Sequence, residues 1–281
     1  MIPAVVLLAS AVYADEVYLA SGDVLKGLVV EEHHDRVVLS AEEGEKTILR
    51  AQVEEIFYAE PERNYIYLGH RAMDSKDFSL ARGLLQKALQ INPRFSEAED
   101  SLHRLEDLEG KASQSLPAGG APRTLEKALG ITLKAGEPYA LAAEVREGSS
   151  AQRAGMLPDD ALAAVWGYSL AFLDPPRAAA ELMGPPGTQI KLTIERMFLI
   201  PGEKGKLSFD LEMGRLGLAV LRVHPSGAAS RAGLLPGDRI VRISEESTRY
   251  MPLTQAQRKV SDARERGIRL VIHRDLMVPR E

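Results

Sequence analysis

The chain has 281 residues, with 35 Lys and Arg against 40 Asp and Glu, a formal net charge of −5 and no cysteine. That length asks for more than one domain. The missing cysteines exclude disulfides, thiol catalysis and thiolate metal sites together, and scattered Lys and Arg with no interleaved aromatics argue against a nucleic-acid partner.

Met1 to Ala14 is a short apolar run ending Val12-Tyr13-Ala14 before Asp15. The residues at 12 and 14 fit the small-residue rule of a signal-peptide cleavage site. The run is too short to span a bilayer, which takes ~20 apolar residues. It lacks the Lys or Arg usual at the start of such a segment, so a truncated start is expected; the competing reading is a first strand of the next domain. No later stretch is apolar enough for a transmembrane anchor. The expected location is the periplasm, or another exported compartment.

Residues 15–59 read as short strands punctuated by Gly22-Asp23 and Glu43-Gly44. The pattern Leu19-x-x-Gly22-Asp23-x-Leu25-x-Gly27-x-Val29-Val30 resembles a small SH3-like or Sm-like barrel. His33-His34 falls at a predicted turn, where a solvated turn is expected rather than a metal site. Residues 61–110 read as helices. Tyr65, Leu68, Gly69, Ala72, Ala81, Leu85, Ala88 and Pro93 resemble one tetratricopeptide repeat, followed by a covering helix from Phe95 to Leu108. Stable arrays need at least three repeats, so a structural role is expected. Residues 111–124, rich in Pro, Gly and small side chains, read as a flexible linker.

The second half says one sentence twice. From Leu129 to Arg196 and from Leu207 to Arg274 the chain aligns with itself without a gap at an offset of 78, with 17 identities in 68 positions. A fixed offset over this length means two copies of one folding unit. Each copy predicts an alternating strand, a glycine (Gly136, Gly214), a second strand ending at Val145 or Val223, and a short helix stopped by a glycine (Gly155, Gly233) in a left-handed cap. Pro236-Gly237-Asp238 suits a type II turn. A strand, a helix at about 175–183 or 253–263, and a closing Ile-x-Leu-x-Ile-x-Arg strand (190–196, 268–274) complete the unit.

That order, with Ala-Ala-x-x-Ala-Gly-Leu-x-Pro-Gly-Asp-x-Ile, resembles the PDZ domain in its bacterial envelope form, over 129–196 and 207–274. The resemblance implies an extended peptide added as a strand, with its carboxylate held by loop amides. The second copy is the expected binder: its implied site comprises Gly214, Arg215, Leu216, Gly217, Leu218 and Val220, faced by Leu253, Ala256, Gln257 and Val260 on the helix. In the first copy Glu137, Pro138 and Tyr139 stand in the aligned loop, and Asp159 replaces the turn glycine, so that copy is expected to be a structural partner.

Charge is uneven. Residues 15–110 carry 11 Lys and Arg against 21 Asp and Glu, whereas 197–281 carry 15 against 10, so the basic end could favour acidic ligands or a free carboxylate. No nucleophile elbow, His-Glu-x-x-His, phosphate loop or Ser-x-x-Lys dyad occurs. No catalytic residue, metal site or cofactor is expected.

The expectation is a multidomain α+β chain: signal peptide 1–14, small β-barrel 15–59, tetratricopeptide-like helices 61–110, linker 111–124, and two tandem PDZ-like domains at 125–198 and 205–276. Its expected task is that of a non-enzymatic exported adaptor holding a peptide or C-terminus of another envelope protein. Two alternatives stay open: a structural assembly component that binds no free peptide, or a regulatory subunit presenting substrates to a separate envelope protease.

Overall fold

The computed structural model describes residues 14–114, 124–202, 208–214, 216–263 and 265–281. The expected signal peptide, apart from Ala14, lies outside the described residues. The chain divides into two compact units, 1–106 and 107–281, and is mixed α and β throughout.

In the first unit β1 (Asp15–Leu19), β2 (Val24–Glu32), β3 (Arg36–Ala41), β4 (Gly44–Leu49) and β5 (Val53–Phe57) form one antiparallel sheet in the order β4-β3-β2-β1-β5. Alternation turns Val17, Val29, Val37, Leu39, Ile48 and Ile56 into a common core with Tyr58. Asp15 is buried there. Its two carboxylate oxygens accept from the Val29 and Ala59 amides, each at 2.9 Å, tying β1 to β2 and to the segment after β5.

Helix α1 (Pro61–Asp74) begins with proline, which loses no helical bond there, and contributes Tyr67 to the sheet core. Helix α2 (Phe78–Ile91) is capped by Asp77, which accepts from the Leu80 amide. Ala81, Leu85 and Ala88 make its buried stripe. The helices meet so closely that a Cβ on Gly69 would lie 2.8 Å from Leu85. His70 is half-buried against Ser101 of α3 (Ser96–Gln114), with Nε2 and Oγ 2.8 Å apart. Burial first, then the Arg104 and Arg50 charges, pull its pKa down to about 3. The turn at His33-His34 is less solvated than expected: both residues are half-buried, and His33 lies 2.9 Å from Glu31.

Helix α3 runs to Gln114, so residues 111–114 are helical rather than linker; 115–123 lie outside the described residues. Thr124 caps α4 (Leu125–Ala128). The first copy of the repeat continues with β6 (Ile131–Lys134), β7 (Leu141–Val145), α5 (Ser150–Arg153), β8 (Ala161–Val165), β9 (Tyr168–Ser169), α6 (Pro175–Leu182) and β10 (Gln189–Ile200). The second copy reads β11 (Phe209–Gly214), β12 (Gly217–Val223), α7 (Ala228–Ala232), β13 (Arg239–Ile243), β14 (Glu246–Ser247), α8 (Leu253–Asp262) and β15 (Ile268–Pro279). Gly155 (φ +94°) and Gly233 (φ +90°) take the expected left-handed positions after α5 and α7.

The two copies are not beads on a string. They share one ten-stranded sheet in the order β11-β12-β13-β15-β10-β8-β7-β6, with β14 and β9 paired off that path. Strands β10 and β15 pair along their whole lengths, from Gln189↔Pro279 to Ile200↔Ile268. Each strand serves both cores. Ile190, Leu192 and Ile194 of β10 fill the first core, while Phe198 and Ile200 fill the second. Conversely, Ile268, Leu270 and Ile272 of β15 fill the second core, while Leu276 and Val278 fill the first. Glu195 and His273 occupy equivalent repeat positions and face each other in the ladder, so they mark a local two-fold axis. The expected boundaries at 198 and 276 therefore fall inside shared strands.

Beyond β15, Arg280 is buried with its guanidinium on Asp107 (2.8 and 2.9 Å), the Leu182 carbonyl and Thr188 Oγ1. Trp166 Nε1 donates to the same carboxylate at 2.9 Å. This pins the last turns of α3 to the first copy within the second unit. Lys111 adds bonds to the Ala180 and Glu181 carbonyls, both at 3.1 Å.

Candidate functional site

Strand addition needs a strand with one unpaired side, since an interior strand has already used its N–H and C=O groups on both neighbours. Strand β12 lies inside the sheet. It pairs with β11 from Val223 to Gly217, and on its other side Ala219 pairs with Arg239 while the Val220 amide and carbonyl bond to Asp238 and Gly237. The residues expected to bind peptide are thus distributed differently. Leu218 and Val220 point into the second core, and Ala256 and Val260 pack there from α8, with Leu253 partly buried against them. Gly214 pairs with Gly217 at the end of the β11–β12 ladder, and Gly217 has a positive φ, +103°. Leu216 is exposed at that tip, Arg215 lies outside the described residues, and Gln257 is exposed on α8.

The open strand is β11. It ends the sheet, and α8 packs beside it. Phe209 and Leu211 turn inward to the core while Asp210, Glu212 and Met213 are less buried. His224 N donates to Ser208 O at 2.8 Å, opposite the register Phe209↔Val223. Antiparallel ladders alternate, so Phe209 directs its own N–H and C=O away from β12, toward the open side. The other wall is α8, whose buried stripe of Ala256 and Val260 fixes which face looks outward. Lys259 and Gln255 reach Glu246 of β14 at 2.6 and 3.2 Å and hold the helix in place. Asp210 is engaged by Arg222 at 2.8 Å, which leaves Glu212 as the exposed charge on the strand.

The sequence expectation laid the added strand along β12, whereas the strand that ends the sheet is β11. The alternation Phe209-Asp210-Leu211-Glu212 marks a strand, yet it does not say which of two successive strands ends a sheet. That depends on the distant pairing of β13 with β12.

Among the described residues no group of three or more His, Asp or Glu side chains could hold a metal ion, and no helix is long and apolar enough to cross a membrane.

Residues 220–274 match the family model described as PDZ domain. The second copy of the repeat thus contains a PDZ domain, a module class of mixed α and β structure. Among solved structures the chain is similar to the third PDZ domain of INAD, determined in complex with a TRP channel tail, at 18% identity, covering 28% of this chain and 84% of that chain with a TM-score of 0.26. No curated protein matches the chain.

Proposed function

We propose that this protein is a non-enzymatic adaptor that takes an extended peptide as an added strand along β11, against α8. The observation that carries the reading is the unpaired edge of β11 beside α8, a helix within residues 220–274, the segment that matches the PDZ domain. The ligand gains backbone hydrogen bonds from the edge, while residues of α8 such as Gln257 select its side chains. Ordering a short peptide offsets part of that gain, so affinity is modest. The cleavage-site pattern at Val12 to Ala14 supports an exported protein, and the partner class is then the tail or an extended segment of another envelope protein.

The reading is tested on the full chain by amide-resolved NMR against a random dodecapeptide phage pool matured to individual peptides. Binding should shift and protect amides of 209–214 and shift those of α8. Peptides that perturb β12 and β13 but leave β11 unchanged would remove the proposal. Amidating each peptide separates capture of a free carboxylate from capture of an internal segment.

A further inference from the structure

Stacked helical repeats bury an apolar face against each neighbour, and an end repeat normally turns a polar face to solvent. The α1–α2 hairpin turns an apolar one. We propose that its outward face is a self-association surface, on which a second copy of this chain docks face to face. The proposal is independent of the strand-addition reading of β11.

Most of α1 is covered within the first unit. Tyr67 enters the sheet core, Arg63 and His70 meet Glu97 and Ser101 of α3 at 3.8 and 2.8 Å, and Gly69 lies against Leu85 of α2. The side left over joins α2 in one surface. Leu80, Leu84, Lys87 and Ile91 follow at intervals of four, three and four residues, which sets them along one face of the helix. The Lys87 ammonium lies 5.7 Å from the centre of the Tyr65 ring, so this stripe borders Tyr65 and, a turn further on, Leu68 of α1. Leu80 is 53% exposed, Ile91 47% and Leu68 39%, while Leu84 and Tyr65 are half-buried. Contiguous apolar area marks an interaction surface in a way that scattered single residues do not.

Charge selects the occupant. Residues 15–110 carry 21 Asp and Glu against 11 Lys and Arg, so two first units repel each other across most of their surface. Helix α2 departs from this: from Phe78 to Ile91 it has Arg82 and Lys87 and no carboxylate. Its outer positions beside the stripe are Ser79, Gln86 and Gln90, all exposed and neutral. The carboxylates near its ends are engaged, Asp77 by the Leu80 amide at 3.0 Å and Glu62 by Asn92 Nδ2 at 3.2 Å. Lys87 sets its charge against the Tyr65 ring. A face-to-face contact uses the same patch on both partners, and this patch meets its own copy with little repulsion.

Gly83 gives a second, independent reason. It is exposed in mid-helix, three residues after Leu80 and four before Lys87, and a Cβ there would meet nothing within 4 Å. Glycine weakens a helix interior relative to alanine, and no neighbour among the described residues calls for it. A second backbone crossing close to α2 does call for it, because a side chain would hold that backbone away. The resulting pair carries two copies of the second unit, so a partner with repeated binding segments gains avidity without new contacts.

The test is sedimentation velocity on the full chain across a wide range of concentration. The parent should pass from one chain to two. Leu80→Glu places a carboxylate in each half of the contact and should raise the dissociation constant by about tenfold or more. Ile91→Glu, at the last position of α2, should do the same. Both side chains are exposed, so the melts of these variants at high dilution should match the parent's. Gly83→Gln introduces a better helix former and should hold or raise that melt while still weakening association. Leu28→Glu, at an exposed position of β2, should leave association unchanged. A parent that stays monomeric overturns the proposal and gives the face to a partner of different sequence. Association that survives both Leu80→Glu and Ile91→Glu, or that is lost in Leu28→Glu instead, overturns it as well.

Discussion

Arg274 grips Asp238 through two parallel hydrogen bonds, Nε to Oδ1 at 2.7 Å and Nη2 to Oδ2 at 2.6 Å, and its Nη2 also donates to the Gly233 carbonyl at 2.9 Å. The first copy repeats the arrangement with Arg196, Asp160 and Gly155 at 2.6, 2.6 and 2.9 Å. In each copy the carboxylate also caps the preceding turn, accepting from the Leu235 or Leu157 amide at 2.8 Å. The final strand is thereby tied to the turn after the short helix. The aspartates are almost wholly buried, so removing one leaves a guanidinium without its partner. Asp238→Ala should cost about 3–5 kcal/mol, read as a drop in the urea midpoint, and Asp160→Ala should cost a similar amount.

The shared strands make a stronger statement about folding. A fragment of residues 205–281 lacks Phe198 and Ile200, which are part of its core; a fragment ending at 201 lacks Leu276 and Val278. Neither half encloses its own core, so residues 107–281 should unfold in one cooperative transition. Phe198→Ala, costing about 3–5 kcal/mol, should lower that single transition as a whole. Two resolved transitions, or a folded 205–281 fragment by circular dichroism, would contradict this.

Much of this was legible beforehand, and the limits are instructive. The offset of 78 gave the element order of both copies, the left-handed positions of Gly155 and Gly233, and the type II turn at Gly237, because these are local consequences of glycine and proline placement. The exchange of strand ends was not legible. Ile190-x-Leu192-x-Ile194 announces a buried strand, but Phe198 and Ile200 alternate equally well, and nothing local says that they belong to the other copy's core. The same holds for the edge of the sheet: Leu218 and Val220 look like any apolar strand, and nothing local says that β12 has neighbours on both sides while β11 ends the sheet.

Gly217 separates the two placements of the site. Its φ of +103° disfavours any side chain, yet an added Cβ meets nothing within 4 Å. Gly217→Ala should therefore cost about 1 kcal/mol or somewhat more in stability while peptide affinity at β11 stays within twofold. A large loss of affinity without loss of fold would return the site to the hairpin tip.

In the first unit, His70 links stability to acid. Its pKa is held near 3 in the fold by burial, below an unfolded value of about 6.5. The unfolded chain therefore binds the extra proton, and stability is complete above about pH 6.5 and falls as the pH drops toward 3. His70→Gln keeps a hydrogen-bonding group beside Ser101 without a titrating ring. It should flatten the loss of stability over that window, measured as the urea midpoint of the first unit's transition against pH. An unchanged slope would assign the acid sensitivity to carboxylates instead.

Asp159 and Gly237 occupy the same turn position with φ of +66° and +89°. Only the glycine takes that conformation without strain. Gly237→Ala should thus destabilise by about 1 kcal/mol. Asp159→Gly relieves strain in the first copy but loses the exposed ion pair with Lys134, worth about 0–1 kcal/mol, so its melting temperature should hold or rise slightly.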